Sequence, residues 1–340
     1  MTRIPSLDGF RAISILLVLI CHSRLSAGFP TAYADLARHG KIGVTIFFVI
    51  SGFLITSLLL TEEQKNGKIK LSAFYIKRAF RILPVFVLYT AFVLLMKDSQ
   101  GYTITNNDLL HVLTFTANFD PDNSWFLGHL WTLSVEEQFY LLWPVLLIFC
   151  RKYIKPILII LIAYGCIARV IDFKFPAYKV ISLSPFFMYA DAILLGALGG
   201  VINAENRDFS RHKIFQYYPL QLLALGIITL FVYLSGYGKM AYIALPFGGL
   251  FISVSIMFLI FAYVNPTPNL LYKLLNSKIL IHIGVLSYSI YVWQQYFFVG
   301  KELVWYRVWP LNILVIYAIS LASYYLCEQP FLRMRRYVLK

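Results

Sequence analysis

Charge is what this chain has little of. Asp, Glu, Lys and Arg together make up 14% of its 340 residues, against about 25% in an ordinary soluble domain. So few charges cannot clothe a water-facing surface, which excludes a soluble enzyme and a charge-rich disordered chain. Acidic residues are scarcer still, 16 against 30 Lys and Arg. Cysteine is rare. The four, Cys21, Cys150, Cys166 and Cys327, lie in or at the edge of apolar runs, with neither metal-ligand nor disulfide-framework spacing. They read as small buried side chains, and no metal site is expected. No internal repeat or low-complexity tract is visible. The longest polar stretches, 61–78 and 98–125, are too short to form a soluble domain.

What the chain does have is apolar surface. Hydrophobic residues are 59% of it, against about 45–50% usually, and they fall in continuous runs rather than the alternation of a transmembrane barrel. The expectation is an all-α, polytopic integral membrane protein forming a single domain. A spanning helix needs about 20 mostly apolar residues. Ten candidates meet this, near 9–25, 41–60, 82–97, 129–150, 155–171, 184–203, 217–236, 241–263, 279–299 and 310–328. The shorter apolar stretch 107–118 reads as an interfacial or re-entrant helix. A secretory signal ending at Ala32-Tyr-Ala34 is the weaker reading of the first run, because its apolar core would contain Asp8 and Arg11.

The net charge of +14 is read as topology, with no nucleic-acid partner. With the N-terminus inside, roughly twice as many basic residues fall on the cytoplasmic side as on the other. They include Arg3, the group from Lys65 to Arg81, Arg151 to Lys155, Arg207 to Lys213, and the tail from Arg333. Both termini are therefore expected in the cytoplasm, in a cell inner (plasma) membrane. The acidic stretch 98–128 suits the outside.

Ionisable groups within spans are functional candidates by default. Arg11 and His22 are eleven residues apart. That is about three whole helical turns and about 16 Å along the axis, so both lie on one face. The plainer reading is a snorkelling Arg and a hydrogen-bonded core His. Lys77, Arg78 and Arg81 stand where the third span begins. Arg78 and Arg81 are helical neighbours, and guanidinium forks suit phosphate; the plainer reading is a topological anchor. Glu136 and Glu137 are adjacent carboxylates in the fourth span. About 100° separates them, so they cannot serve the same spot. Glu328 closes the last span before Pro330, and a topological salt bridge is the alternative there.

These stretches together resemble the acyltransferase-3 family, membrane O-acyltransferases of the O-antigen acetylase type. The opening Ser6-Leu-Asp-Gly-Phe-Arg-Ala-Ile-Ser, with ten residues between Arg11 and His22, is similar to the family's first span. Phe47-Phe-Val-Ile-Ser-Gly-Phe-Leu-Ile55 resembles its second span. Arg78–Arg81 resembles its basic loop, and Leu130-Trp-Thr-Leu-Ser-Val-Glu-Glu-Gln-Phe-Tyr140 its glutamate motif. Leu286-Ser-Tyr-Ser-Ile-Tyr-Val-Trp293 and Glu328-Gln-Pro-Phe331 match its closing spans. Two positions depart from the pattern. Gln294, followed by Gln295, stands where many members have a His, and Tyr189 stands where many have an Arg two residues before the Asp of the sixth span, here Asp191. The first removes the expectation of a second catalytic histidine. The second implies a changed glycan contact or none. Some members carry a fused extracytoplasmic esterase-like domain; 340 residues are too few for one.

The resemblance implies transfer of an acyl group, usually acetyl, from cytoplasmic acetyl-CoA or another acyl-CoA to a hydroxyl of a cell-envelope or exported glycan, free or lipid-linked. The acyl-CoA is a co-substrate, and no permanently bound cofactor is expected. Donor binding falls to Arg11, Lys77, Arg78 and Arg81. His22 acts either as general base on the sugar hydroxyl or as the nucleophile that carries the acyl group. Glu136 or Glu137 orients His22 or binds the acceptor. Asp8, Ser134, Tyr140, Tyr288 and Glu328 are acceptor-binding or structural. The rival function is a transporter or flippase for a glycan or lipid-linked intermediate, using the same buried charges as a path.

Overall fold

In the computed structural model, residues 4–120, 122–175, 177, 184–206, 208–236, 238, 240–265, 269–299 and 304–338 are described. Among them there is no strand. Arg3 and Arg207, which the charge asymmetry counts, lie outside the described residues. Helix α1 is Pro5–Ser23, opened by a proline whose missing N–H costs nothing at a first helical position. Then come α2 (Ile42–Asn66), α3 (Leu71–Gln100) and the short α4 (Asn106–Leu113). The turn Trp125–Gly128 leads into α5 (Trp131–Phe149). The rest are α6 (Ile154–Lys174), α7 (Ser184–Glu205), α8 (Tyr218–Gly236), α9 (Ala241–Val264), α10 (Lys278–Phe297) and α11 (Leu311–Ser323). A π-helical turn, Tyr324–Glu328, joins α11 to α12 (Gln329–Val338).

Nine helical stretches among the described residues are long and apolar enough to cross a membrane. The tenth expected span corresponds to α10, a 20-residue helix. It misses that apolar standard because His282, Gln294 and Gln295 sit within it. The stretch near 107 is α4, eight residues long and much too short to span. One expected boundary moves. The third span begins at Leu71, not near 82, and runs unbroken past Pro84. The polar stretch 61–78 is thus mostly helix, and the basic segment around Arg78 is helical rather than a loop. Hydropathy marks where apolar side chains stop, whereas a helix continues as long as its backbone bonds do. Here Gly67 and Gly101, both at positive φ, stop α2 and α3. Of the cysteines, Cys21 and Cys166 are buried while Cys150 and Cys327 are half-buried, and all four are free.

The chain divides into two units. The first comprises Met1–Ser14, Lys41–Ile69 and Leu142–Gly284. Its core is the close approach of α2 and α7. A Cβ on Gly52 would meet the Ile193 carbonyl, and one on Gly196 would meet the Val49 carbonyl. Gly196 and Gly200 are four apart, the small-xxx-small spacing that lets spanning helices pack backbone to backbone where lipid supplies no hydrophobic drive. Gly9 and Gly284 hold the start of α1 in the same way, against the Leu275 carbonyl and under the Asp8 carbonyl.

The second unit comprises Ile15–Gly40, Lys70–Leu141 and Val285–Lys340. It holds the end of α1, all of α3 and α4, the first half of α5, the second half of α10, and α11 with α12. Its buried aromatic core includes Tyr89, Trp293 and Tyr296. Tyr89 and Trp293 meet edge to face at 5.5 Å, and Phe92 packs on Tyr296 at 4.8 Å, the geometry aromatic quadrupoles favour.

Candidate functional site

Most of the expected site residues fall in the second unit. His22 lies in the last turn of α1, and its Nδ1 is 2.7 Å from Oε1 of Gln294 on α10. The ring stands edge-on to Trp125 at 6.1 Å and tilted to Phe298 at 6.2 Å. Trp125 is itself held. Nε2 of Gln295 donates to its carbonyl at 2.7 Å, and its indole Nε1 donates to the Gln295 carbonyl at 3.3 Å. The consecutive glutamines thus do two jobs: Gln294 grips the imidazole and Gln295 grips the ring beside it. Gln294 is fully buried, and its Nε2 finds no hydrogen-bond partner. Leaving such a donor unmet costs about 1–3 kcal/mol.

His129 belongs to this site, although its place at the start of an expected span suggests no role for it. It is buried and lies within electrostatic reach of His22. Its Nε2 is 3.0 Å from the Val292 carbonyl. A carbonyl only accepts, so that nitrogen carries a proton. Its Nδ1 is buried without a partner. The hydroxyl of Tyr291 donates to the His129 carbonyl at 2.8 Å and shares a 2.6 Å hydrogen bond with Thr132. Tyr291 in turn lies within reach of Glu136. Hydrogen bonds thus join Tyr291 to His129 and Thr132, with His22 within electrostatic reach of His129 and Glu136 within that of Tyr291.

The glutamate segment splays as the 100° spacing requires. Glu137 lies within reach of Arg78, and its Oε1 is buried with no hydrogen-bond partner. Gln138 turns to the preceding loop, donating to the Phe115 carbonyl at 2.7 Å and to Asn118 at 2.8 Å. Ser134 faces that loop too, accepting from the Ala117 N–H at 3.2 Å and donating to the Leu130 carbonyl at 3.1 Å, a structural placement. Nδ1 of His22 is held by the Gln294 amide on a neighbouring helix.

The basic group separates as well. Arg78 lays its guanidinium over Tyr140 at 4.9 Å and Phe74 at 5.8 Å, and both glutamates and Arg81 lie within its reach. Arg81 is within reach of Glu328, which is buried and accepts from Ser289 Oγ at 3.0 Å. Tyr288 donates to the Ile82 carbonyl at 2.7 Å within reach of Glu328, Glu137, Arg81 and Glu136. Glu328 ends the π-helical turn, a local widening that re-aims side chains and recurs at functional sites. Arg78, Arg81, Glu136, Glu137, Tyr140, Tyr288 and Glu328 thus form one cluster. Lys77 is not brought into it; its side chain is exposed.

Asp8 and Arg11 lie in the first unit. They pair with each other at 3.6 Å, one turn apart, and both are largely buried. Arg11 and His22 share the unbroken α1. The same unit holds an ion pair the sequence did not reveal. Arg169 donates to Asp191 Oδ2 at 2.8 Å and to the Pro246 carbonyl at 2.8 Å. Asp191 thus has a cation partner from α6, while Tyr189, where many members of the family have an Arg, is exposed. Among the described residues, no group of His, Cys, Asp or Glu is placed to hold a metal ion.

Outside the spans, α4 carries a capping box. Thr105 Oγ1 accepts from the Asp108 N–H at 3.0 Å, and the Asp108 carboxylate accepts from the Thr105 N–H at 2.7 Å. The same carboxylate accepts from the Ser124 N–H at 2.9 Å, one residue before Trp125. Burial pushes the Asp108 carboxyl up. The hydrogen bonds from Thr105 and Ser124, with His111 nearby, outweigh it and hold the group below its ordinary value.

A family model described as an acyltransferase domain matches residues 4–328. A Staphylococcus aureus (strain COL) protein provisionally named an O-acetyltransferase is 30% identical over 383 aligned positions, covering 97% of this chain and 58% of its own length. The peptidoglycan O-acetyltransferase OatA of Listeria monocytogenes is 29% identical, covering 86% of this chain and 49% of its own length. A Bacillus subtilis protein provisionally named a peptidoglycan O-acetyltransferase is 27% identical over 96% of this chain and 54% of its own length. The chain thus spans about half the length of these curated relatives. No solved structure matches it.

Proposed function

Because the chain belongs to the acyltransferase-3 family, we propose that it is a multi-pass membrane O-acyltransferase, moving acetyl from acetyl-CoA to a hydroxyl of a cell-envelope glycan. Peptidoglycan, named for the Listeria relative, is the first acceptor class to test. The observation that carries the reading is His22, a histidine within a spanning helix, held at one ring nitrogen by Gln294 in the unit that also holds the cluster of arginines and carboxylates.

In this reading the N-terminus and the tail face the cytoplasm, as the basic residues favour, and the membrane is the plasma membrane. The phosphates of CoA meet Arg81, Arg78 and the exposed Lys77 at the start of α3. Arg11, its charge balanced by Asp8, is a further donor contact. The pantetheine arm is an extended chain of about the length that separates Arg11 from His22, about 16 Å along the helix. His22 removes the proton of the acceptor hydroxyl as its oxygen attacks the thioester carbonyl. The tetrahedral intermediate collapses with cleavage of the C–S bond. The thiolate takes the proton back from the imidazolium, giving the ester and CoA thiol. The carboxylates of Glu136, Glu137 and Glu328 bind the acceptor or set the charge balance of the arginines.

The test uses the purified protein with labelled acetyl-CoA and soluble peptidoglycan fragments, reading base-labile ester and released thiol. Wild-type protein is expected to form both in equal amounts. His22→Ala, with unchanged thermal unfolding in detergent, is expected to lose at least about 100-fold. Full activity in that variant overturns the mechanism. Glycan movement across vesicles with no acetyl-CoA turnover overturns the enzyme reading in favour of a transporter. A burst of CoA release preceding steady turnover assigns the acyl-imidazole route instead of direct transfer.

A further inference from the structure

We propose that Gln294 is the positioning residue that fixes the tautomer of His22. Its Oε1 accepts the Nδ1 hydrogen bond and leaves Nε2 as the unprotonated nitrogen that does the chemistry. The two ring nitrogens of a neutral histidine are inequivalent, and whichever carries the proton is decided by the partner of the other. Nδ1 of His22 lies 2.7 Å from Gln294 Oε1, a distance at which an N–H donor and a carbonyl oxygen are well matched. An amide oxygen accepts only, so the proton is committed to Nδ1. Had a carboxylate occupied this place, it would stabilise the charged imidazolium and raise the group out of the neutral form a base needs. The amide orients the ring without that electrostatic cost.

A second observation points the same way. Gln294 is fully buried, and its Nε2 has no protein hydrogen-bond partner. A fully buried amide satisfied at one end alone leaves a donor available to an oxygen of a bound ester or alcohol. The neighbours on His22 keep the amide in register. Trp125 and Phe298 close on the ring from two sides, and Gln295 secures Trp125. These neighbours are neutral. His129 is a titratable group within electrostatic reach of His22 from the segment before α5, and it holds its own Nε2 proton on the Val292 carbonyl.

The assignment rests on the acyl-transfer reading in its kinetic arm only; its spectroscopic arm does not. The first measurement is nitrogen-15 NMR of the full-length protein in detergent, with labelled histidine and the His22 signals assigned by His22→Gln. A protonated Nδ1 and an unprotonated Nε2 near neutral pH are expected. A proton on Nε2 overturns the proposal, whatever the enzyme assay shows. The second measurement is the pH profile of kcat. Gln294→Ala is expected to lower kcat about tenfold or more with little change in KM for acetyl-CoA, and to abolish the tautomer preference. Gln294→Glu is expected to move the acid limb upward by about one pH unit or more, because the new carboxylate favours imidazolium. Unchanged profiles in both variants overturn the proposal. Should a variant fail to fold, the wild-type spectrum still decides. Full activity of His22→Ala alongside the expected spectrum refutes the catalytic reading of the site while leaving the Gln294–His22 contact intact.

Discussion

Gln295 and Trp125 bind each other twice, side chain to backbone in both directions, at 2.7 and 3.3 Å. This reciprocal pair ties α10 to the turn before α5 at the place where the Trp125 ring meets His22. Gln295→Leu removes one of the two bonds and leaves the indole bond to the residue 295 carbonyl. It also removes Gln295 Oε1, which is buried without a partner, so part of the loss is offset. The expected net destabilisation is about 1 kcal/mol, with acetyl transfer falling severalfold as the ring beside His22 loosens. Thermal unfolding in detergent and the ester assay, read together, check it. Unchanged activity with lowered stability would confine Gln295 to a structural role.

The Arg169–Asp191 pair gives a second expectation, one of folding rather than catalysis. The guanidinium has its donors committed to Asp191, the Pro246 carbonyl and the Met188 carbonyl. Asp191→Leu strands a buried charge and is expected to cost about 3–5 kcal/mol, whereas the double variant Arg169→Met, Asp191→Leu recovers most of the loss. Yield of folded protein and unfolding midpoints for the two single variants and the double one decide this. A double variant as unstable as Asp191→Leu alone would show that the pair contributes through its carbonyl contacts instead.

The legible part of this molecule was what period and length control. Long apolar runs gave the spanning helices, and α4 was readable from its polar start and short apolar face. His22, Arg78, Arg81, Glu136, Glu137 and Glu328 were readable as ionisable groups in places hostile to charge. What stayed hidden was partnership between helices. Nothing in the sequence near His22 says that Gln294 will hold it, or that the cation for Asp191 comes from Arg169. His129 opens a predicted span, where a polar residue is ordinary, so its burial could not be foreseen. The pair Gln294-Gln295 was the available signal: two adjacent amides in an apolar helix need partners, and both find them around His22. The start of α3 is hidden because its early turns carry Lys77, Arg78 and Arg81, which interrupt the apolar run.

The remaining expectation concerns pH and lies outside the spans. Asp108 closes the capping box of α4 with Thr105 and also receives the Ser124 N–H, so one carboxylate fastens α4 to the segment that carries Trp125. Its hydrogen bonds hold it below the ordinary carboxylate value despite burial. A group depressed in the folded state adds stability that is fully present above its unfolded value, about 3.9, and is lost as the pH falls through the lower folded value. Between pH 7 and 5 this fastening is therefore expected to be constant, and below about pH 4 it weakens. Amide hydrogen exchange at Asp108, Leu109 and Ser124, corrected for the intrinsic rate, should rise only in that acid range. Asp108→Asn keeps an acceptor but loses the charge, so exchange should be faster by a factor matching about 1 kcal/mol at neutral pH and should lose its acid dependence. Equal acid dependence in wild type and Asp108→Asn would assign the effect to another group.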